Sequence, residues 1–340
     1  MAKNKSIEIG KETVKPGTRT AIRLPVADLY TGTALSMPVR VICGRSAGPT
    51  LVISAAIHGD ELNGVEIIRR LLKRKLLSSL RGNLIAVPIV NVHGFLDQSR
   101  YLPDRRDLNR SFPGSPRGSI AARTANIFLQ EIVSRADVGI DLHTGAINRS
   151  NLPQIRAKLD DPATKELAMA FGAPVVLDSN IRDGSLRDSA AEMGLPMLVY
   201  EAGEALRFDE IAIRGGVSGI IRVLRHMEML PRLKKGRVLT PVVAASTKWV
   251  RAPLSGVVSR NAKLGERVLE KQRIAVVSDP LGDSEEVVRA PFDGIIIGRN
   301  NLPLALEGDA LFNIAAFKSV STAETKVEAF TATHGGEVLS

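Results

Sequence analysis

The sequence has few of the residues that would indicate a secreted or a nucleic-acid-binding protein. Cysteine occurs once in 340 residues, as Cys43, so an internal disulfide is excluded and a reducing compartment is favoured. Aromatic residues make up only 4% of the chain and offer little surface for stacking bases. Lys and Arg outnumber Asp and Glu by 46 to 36, but the excess is spread along the chain. We therefore expect no nucleic-acid partner.

Long hydrophobic runs are also missing. The longest apolar stretches, such as LVISAAI at 51–57, are far shorter than the roughly 20 residues that a membrane-spanning helix needs. The opening MAKNKSIEIG has a basic start but no apolar core of the kind found in signal peptides. We expect a cytoplasmic protein that neither crosses nor enters a membrane.

The order of apolar segments predicts two domains. Up to about residue 230, apolar strands alternate with helical stretches, which favours an α/β domain with a mixed, largely parallel sheet covered by helices. Beyond it, short strands are separated by Gly and Pro, and RAPLSGVV at 251–258 recurs as RAPFDGII at 289–296. This pseudo-repeat predicts a smaller all-β sandwich or barrel. The predicted boundaries are 1–235 for the α/β domain, 236–318 for the β-domain and 319–340 for a mobile polar tail.

The motif GRSAG at 44–48 matches the G-x-S-x-G pattern of serine hydrolases. That motif requires a strand, a sharp turn and a helix in this order. Here Pro49 and a second strand, TLVISAAI, follow the motif instead of a helix. We therefore interpret RSAGP as the turn of a hairpin between the strands VRVICG and TLVISAAI, and we do not expect a serine hydrolase.

Two strands end in histidine. His58 and Glu61 lie where TLVISAAI ends and an amphipathic helix begins, and the strand VGIDLH ends in His143, which a polar loop follows. In open α/β sheets, ligands bind at the carboxyl ends of the strands, so these side chains are expected to converge. Two histidines and one carboxylate, with a fourth position left to water, form a common catalytic zinc site. The sequence therefore predicts one zinc ion per chain.

The loop RYLPDRRDLNRSFPG supplies groups that suit a small anionic substrate. An arginine binds a carboxylate through two parallel hydrogen bonds, so Asn109 and Arg110 together could fix a substrate carboxylate. A further arginine of this loop could polarise the scissile carbonyl and stabilise its oxyanion. We therefore expect the loop to form part of the substrate site.

The strand PMLVYEAGE ends in two glutamates, Glu201 and Glu204. Hydrolysis at a zinc site needs a base that takes the proton from the attacking water and returns it to the leaving amine. Glu201 follows the strand directly and is the better candidate, whereas Glu204 could cap the next segment or contact solvent.

Four motifs, HGDE, DLNRSFPG, DLHTG and YEAGE, occur in the order found in the succinylglutamate desuccinylase and aspartoacylase family, which the chain resembles from about residue 40 to 230. The family is related to the zinc carboxypeptidases. By this resemblance the zinc ligands are His58, Glu61 and His143, the substrate carboxylate binds to Asn109 and Arg110, and the general base is Glu201. The counterpart of the family's carbonyl-polarising arginine is Arg100, with Arg105 and Arg106 as alternatives.

The C-terminal part resembles the β-domain that accompanies this family and is similar to lipoyl- and biotinyl-carrier folds. A carrier presents a lysine at a hairpin tip, but the corresponding turn here reads SDPLGDSEE and contains none. We expect this domain to act as a lid, a pocket wall or an oligomer contact, which leaves a homo-oligomer open.

The expected function is a zinc-dependent deacylase that hydrolyses the amide bond of a small N-acyl amino acid. N-Succinylglutamate and N-acetylaspartate are possibilities that the family offers, and other N-acyl amino acids or diamino acids remain open. Two alternatives are a metallocarboxypeptidase acting on peptides and a non-enzymatic carboxylate-binding protein. The sequence does not decide between acyl groups or amino acids.

Overall fold

The structure is a computed structural model that describes residues 2–232 and 240–336. The elements of the first segment are β1 (Ile7–Ile9), β2 (Glu12–Val14), β3 (Arg19–Asp28), β4 (Ala34–Cys43), β5 (Thr50–Ala55), α1 (Asn63–Leu72), β6 (Asn83–Val87), α2 (Val92–Leu96), α3 (Ile120–Glu131), β7 (Val138–Gly145), β8 (Arg149–Ala157), α4 (Pro162–Phe171), β9 (Val175–Asp178), α5 (Leu186–Glu192), β10 (Met197–Glu204) and α6 (Glu210–His226). Those of the second are β11 (Val242–Val243), β12 (Ser246–Arg251), β13 (Gly256–Arg260), β14 (Arg267–Val268), β15 (Arg273–Ser278), β16 (Glu285–Arg289), β17 (Gly294–Asn300), β18 (Leu304–Ala305), β19 (Ala310–Ala316) and α7 (Val320–His334).

The central feature is a mixed sheet in the order β12-β19-β17-β8-β10-β7-β5-β6-β4-β3. Its middle strands, β10, β7, β5 and β6, run parallel to one another, and the strands outside them are antiparallel to their neighbours along this order. Every residue of β5, β6 and β7 is buried, as expected for strands covered on both faces. The predicted fold class, an α/β sheet with a C-terminal β region, is confirmed.

Helices pack on both faces of this sheet. One face carries α1, α4 and α6, which bury Ile67, Phe171 and Val217 in a common core. The other carries α3 and α5, whose Phe128 and Leu186 pack in a second core. The sheet therefore has a covered interior, and its carboxyl edge is where polar side chains gather.

The prediction that β4 and β5 form a hairpin is wrong. β6 lies between them, antiparallel to β4 and parallel to β5. The chain reaches β6 only after crossing one face of the sheet as α1, so β4 and β5 are consecutive along the chain but are not neighbours in the sheet. The segment RSAGP is a crossover connection, and a strand rather than a helix follows it, which agrees with the rejection of a serine hydrolase.

The predicted polar loop after His143 is largely a strand. Arg149–Ala157 form β8, which pairs antiparallel with β10 and parallel with β9. The prediction failed because several polar residues of this strand are buried rather than exposed to solvent, as Asn151 and Gln154 show. Its composition therefore resembles that of a loop.

The C-terminal β region shares both a sheet and a core with the first part of the chain. β17 pairs with β8 through Gly298–Asn300, and β11 pairs with β9. Leu152 and Leu177 pack with Ile295 and Ile297 in one apolar cluster. The predicted boundary between 235 and 236 lies outside the described residues.

The predicted mobile tail at 319–340 contains a packed helix. α7 spans Val320–His334 and buries Ala323, Val327, Phe330 and His334, which recur at helical spacing. Because the segment is mostly polar, its single apolar face was not recognised in the sequence. Residues 337–340 lie outside the described residues.

Membrane insertion finds no support in the helices. Across residues 2–232 and 240–336, none of them has both the length and the apolar character that crossing a bilayer requires.

Replacing Phe330 tests whether α7 belongs to the core. Phe330 is 2% exposed and its ring lies against Gly215 of α6. Phe330→Ala should lower the free energy of unfolding by about 3–5 kcal/mol, because it leaves a cavity between the helices. Urea unfolding measures this free energy. Glu328→Ala, at an exposed position of the same helix, should change the free energy of unfolding by less than about 0.5 kcal/mol. Equal stability of both variants would contradict the packing.

A second prediction concerns the contact between α1 and α6. Hydrogen bonds from Arg69 and Arg70 lower the pKa of Glu66 from 4.5 to about 2, and Arg70 also binds Glu210 of α6. The pKa of Glu66 is lower in the folded state than in the unfolded state. This stabilisation is therefore complete above pH 4.5 and is lost as the pH falls toward 2. Because Arg69 is exposed to solvent, the stabilisation contributed by Glu66 is limited to about 1–2 kcal/mol.

Glu66→Gln should therefore unfold with a weaker pH dependence over this acidic range than the parent chain. Urea unfolding at neutral pH and at about pH 3 measures the difference. Glu328→Gln serves as the control because Glu328 is exposed. An unchanged pH dependence in Glu66→Gln would show that the ion pairs contribute nothing.

Candidate metal centre and substrate pocket

The turn between β5 and α1 carries two of the predicted metal ligands. His58 and Glu61 are 4% and 2% exposed, and the backbone N–H of Glu61 donates to the carbonyl of His58 at 3.1 Å. Gly59 allows this turn to pack, since a Cβ there would lie 1.9 Å from the backbone carbon of Gly94. The glycine in HGDE is therefore required by a close backbone approach.

The Glu61 carboxylate lies between the two imidazoles. Its Oε1 is 2.7 Å from Nδ1 of His58, and its Oε2 is 2.8 Å from Nδ1 of His143, which is on β7. The backbone N–H of Thr144 donates to the same Oε2 at 3.1 Å. One ligand atom from each of the three side chains lies within 4.8 Å of the others. The structure thus brings together the three residues that the sequence singled out.

The outer nitrogen of each imidazole contacts a second carboxylate. Nε2 of His143 is 2.6 Å from Asp141, and Nε2 of His58 is 3.2 Å from Asp107. Asp141 also accepts a hydrogen bond from the Ser54 hydroxyl at 2.7 Å. Carboxylates in this position orient metal-binding histidines and set their tautomer. Both rings are therefore held with Nδ1 directed at Glu61.

The charges of this cluster favour a bound cation. Three carboxylates, Glu61, Asp107 and Asp141, lie around the two imidazoles, and Arg100 is the one guanidinium that contacts them among the described residues. Burial opposes the charged form of Glu61, but His58 and His143 hold its pKa well below the usual range. Burial also opposes a charged His143, yet Asp141 and Glu61 raise its pKa. Nitrogen and carboxylate donors in a negative surrounding suit a zinc ion.

Of the three candidate arginines, only Arg100 lines the pocket. Its Nη2 donates to Asp107 at 2.9 Å, and its Nη1 is 3.4 Å from Glu61. Arg105 is exposed, and Arg106 is 65% exposed beside Asp104. Geometry thus favours Arg100 over the two alternatives.

Asn109 and Arg110 form part of a 3-10 helix and both line the same pocket. The side-chain oxygen of Asn109 accepts from the backbone N–H of Leu186, which fixes the start of α5 next to this loop. The Arg110 guanidinium contacts the Asn109 carbonyl and is exposed at the pocket mouth. Both residues therefore lie in the pocket lining.

The two glutamates of β10 have different surroundings. Glu201 pairs in register with His143 of β7 and lines the pocket, where it accepts from Asn151 at 2.8 Å. Glu204 accepts instead from Asn301 at 2.8 Å, in the loop after β17. Glu201 thus lines the pocket, whereas Glu204 joins the sheet to the C-terminal region.

The pocket is a cavity of about 290 Å³ with mostly polar walls. Several lining residues were not predicted, because they lie on β8, around the start of α5 or on β12; they are Arg149, Asn151, Arg156, Arg182, Arg187 and Trp249. Their guanidinium and amide groups were visible in the sequence, but nothing there indicated that these segments meet.

The fold and the site define an α/β protein with the two-histidine, one-carboxylate arrangement of metallohydrolases. A profile of the succinylglutamate desuccinylase/aspartoacylase catalytic domain matches residues 47–227. The chain belongs to this family, and the resemblance that the four motifs indicated is confirmed, as is its assignment to the amide-hydrolysing enzymes.

Individual relatives cover most of the chain. An N-alpha-acetyl-L-2,4-diaminobutyric acid deacetylase of Halomonas elongata is 28% identical over 312 residues, which are 86% of this chain and 90% of the relative. A succinylglutamate desuccinylase/aspartoacylase structure from Rhodobacter sphaeroides is 26% identical, with a TM-score of 0.77 over 88% of this chain and 96% of that one. The product-bound ectoine utilization protein EutE (DoeB) of Ruegeria pomeroyi is 25% identical, with a TM-score of 0.79 over 92% and 99%.

Replacing Asp141 tests the orientation of His143. Asp141→Asn removes the negative charge from Nε2, so zinc affinity should fall about 10- to 100-fold. Competition titration against a zinc-binding dye measures the affinity. Asp160→Asn, at a position whose side chain is 69% exposed, should bind zinc as the parent chain does. Equal affinity of both variants would show that the contact does not support metal binding.

Proposed function

We propose that this chain is a zinc-dependent deacylase that hydrolyses the amide bond of a small N-acyl amino acid. The observation that carries the proposal is the arrangement of His58, Glu61 and His143, with both Nδ1 atoms directed at one carboxylate and both Nε2 atoms fixed by others. Membership of the family and the deacetylase from Halomonas elongata support the reaction class.

The three side chains would hold the metal ion. Bound zinc would supply a Lewis acid for the acyl carbonyl and would lower the pKa of the attacking water. Asp141 and Asp107 orient the two rings so that both Nδ1 atoms face the Glu61 carboxylate. The backbone N–H of Thr144 holds the Glu61 carboxylate from the side of β7.

Glu201 is the proposed proton carrier. Its carboxylate takes a proton from the attacking water and delivers it to the nitrogen of the departing amino acid. Asn151 donates to one of its oxygens at 2.8 Å, and Arg156 lies 3.6 Å from the other. These contacts fix the direction in which the carboxylate presents its free lone pairs.

Substrate recognition falls to the loop before α3. Asn109 and Arg110 bind the carboxylate of the amino acid, since a guanidinium and an amide donor match its two oxygens. Arg100 lines the same pocket and contacts Glu61 and Asp107, and its charge would stabilise the oxyanion that forms on the carbonyl. The pocket volume of about 290 Å³ is sufficient for a small acylated amino acid.

Replacing Glu201 tests the proton transfer. Glu201→Gln should retain zinc but lose about 100- to 10,000-fold in kcat, because the amide cannot accept the proton. Elemental analysis gives the zinc content, and a screen of amine release over N-acyl amino acids and short peptides gives the activity. Chelation should abolish activity in the parent chain, and added zinc should restore it.

Glu204→Gln separates the two glutamates. Glu204 lies three residues along the same strand but contacts Asn301, so its kcat should fall by less than about tenfold. A larger loss in Glu204→Gln than in Glu201→Gln would reverse the assignment. Turnover that survives complete removal of metal would contradict the zinc-dependent mechanism.

A further inference from the structure

A second cavity lies at the edge of the sheet away from the metal centre. Cys43, which ends β4, pairs with Asn83, which begins β6, and both line up with the start of β5. The cavity opens beside this pairing and has a volume of about 590 Å³, against about 290 Å³ for the substrate pocket. β5 has six residues, so at about 3.3 Å per residue the two edges are about 20 Å apart. A ligand bound here would not contact the metal ligands.

The rim of this cavity carries positive charge. Five cationic side chains line it, and among the described residues no Asp or Glu does so. The five come from three separate segments of the chain, and all are exposed; they are Arg19, Arg45, Lys73, Arg74 and Lys75. We call these five residues the basic rim. Like charges around one concave surface raise the local concentration of anions.

The basic rim has no carboxylate partners. In the part of the chain that the structure describes, none of its five side chains forms an ion pair. The preceding basic residues differ, since Arg69 and Arg70 are paired with Glu66, and Arg70 also binds Glu210. The first two cations of this basic stretch therefore join α1 to α6, and the later ones have their charge available for a ligand.

The floor of the cavity is apolar. Ile42, Leu77 and Leu80 line it and belong to the core beneath α1. The stem of Arg45 packs along one wall, since a Cβ at Gly17 would lie 3.0 Å from its Cγ. An apolar floor with polar groups around it is typical of small-molecule pockets. A nucleic-acid strand would need aromatic side chains on which its bases stack, and none lines this cavity among the described residues.

We propose that the basic rim and its apolar floor bind a small molecule that carries a chain of phosphate groups. Several linked phosphates match five cations, whereas one carboxylate would leave most of them without a partner. The chain of phosphates belongs either to an inorganic polyphosphate or to a nucleotide, whose base and sugar would cover the floor. Because this site is distant from the metal centre, it does not depend on the proposed function.

Calorimetric titration with sodium tripolyphosphate and with ATP tests the site. Both should bind once per chain, and raising the salt from about 0.05 to about 0.5 M should weaken both, because exposed charges are screened. AMP has one phosphate and should bind at least about tenfold more weakly than ATP. ATP binding more tightly than tripolyphosphate would identify a nucleotide, and equal or weaker ATP binding would identify the inorganic chain.

Two double variants locate the binding. Lys73→Gln/Lys75→Gln removes two charges of the basic rim and should weaken tripolyphosphate binding about 5- to 30-fold. Lys165→Gln/Lys263→Gln removes the same charge at exposed positions outside the cavity. Its affinity should stay within about twofold of the parent value. All four lysines are exposed, so both variants should fold.

Several outcomes would overturn the proposal. No binding of either compound would do so, as would an equal loss in both double variants, because attraction to the net charge of +10 would then explain the binding. Zinc-loaded and metal-free chain should bind tripolyphosphate equally, and an affinity that requires zinc would place the anion at the metal centre. Tighter binding of a short single-stranded DNA than of ATP, lost in Lys73→Gln/Lys75→Gln, would assign the basic rim to nucleic acid instead.

Discussion

A carboxylate on the outer nitrogen of each imidazole is the contact on which the site depends. Asp141 and Asp107 hold Nε2 of His143 and His58, and the inner nitrogens are left to face Glu61. A neutral imidazole has one nitrogen with a proton and one without, so fixing the first determines the second. The strand fixes the relative position of Asp141 and His143, because the two residues are on one face of β7, two residues apart.

Much of the metal centre could be predicted because it follows from sheet geometry. β5, β7 and β10 are adjacent and parallel, so His58, His143 and Glu201 emerge at the same edge. Strand ends can be read from a sequence without knowing which strands pair. Strand pairing could not be read in this way, and for that reason the predicted hairpin between β4 and β5 was wrong: β6, the next strand along the chain, lies between them in the sheet.

The residues of the pocket walls could not be predicted from the sequence, for a related reason. β8 carries polar residues because it borders the site, and α7 carries only a narrow apolar face because one side of it packs on α6. Both look like solvent-exposed segments until their partners are known. Trp249 enters the pocket from β12, far along the chain, because β17 continues the sheet beyond β8. The C-terminal region thus forms part of the wall, as one of its expected roles requires.

The pocket contains charged groups of both signs. Carboxylates contact the histidines of the metal centre, and Arg149, Arg156 and Arg187 line the same pocket. Glu201 is close to both groups, since it pairs in register with His143, accepts from Asn151 on one oxygen and has Arg156 near the other. An N-acyl amino acid, the proposed substrate, likewise has its neutral amide and its carboxylate in different parts of the molecule. In the proposed binding mode, arginines near the substrate carboxylate would leave the neutral amide to face the metal ligands and Glu201.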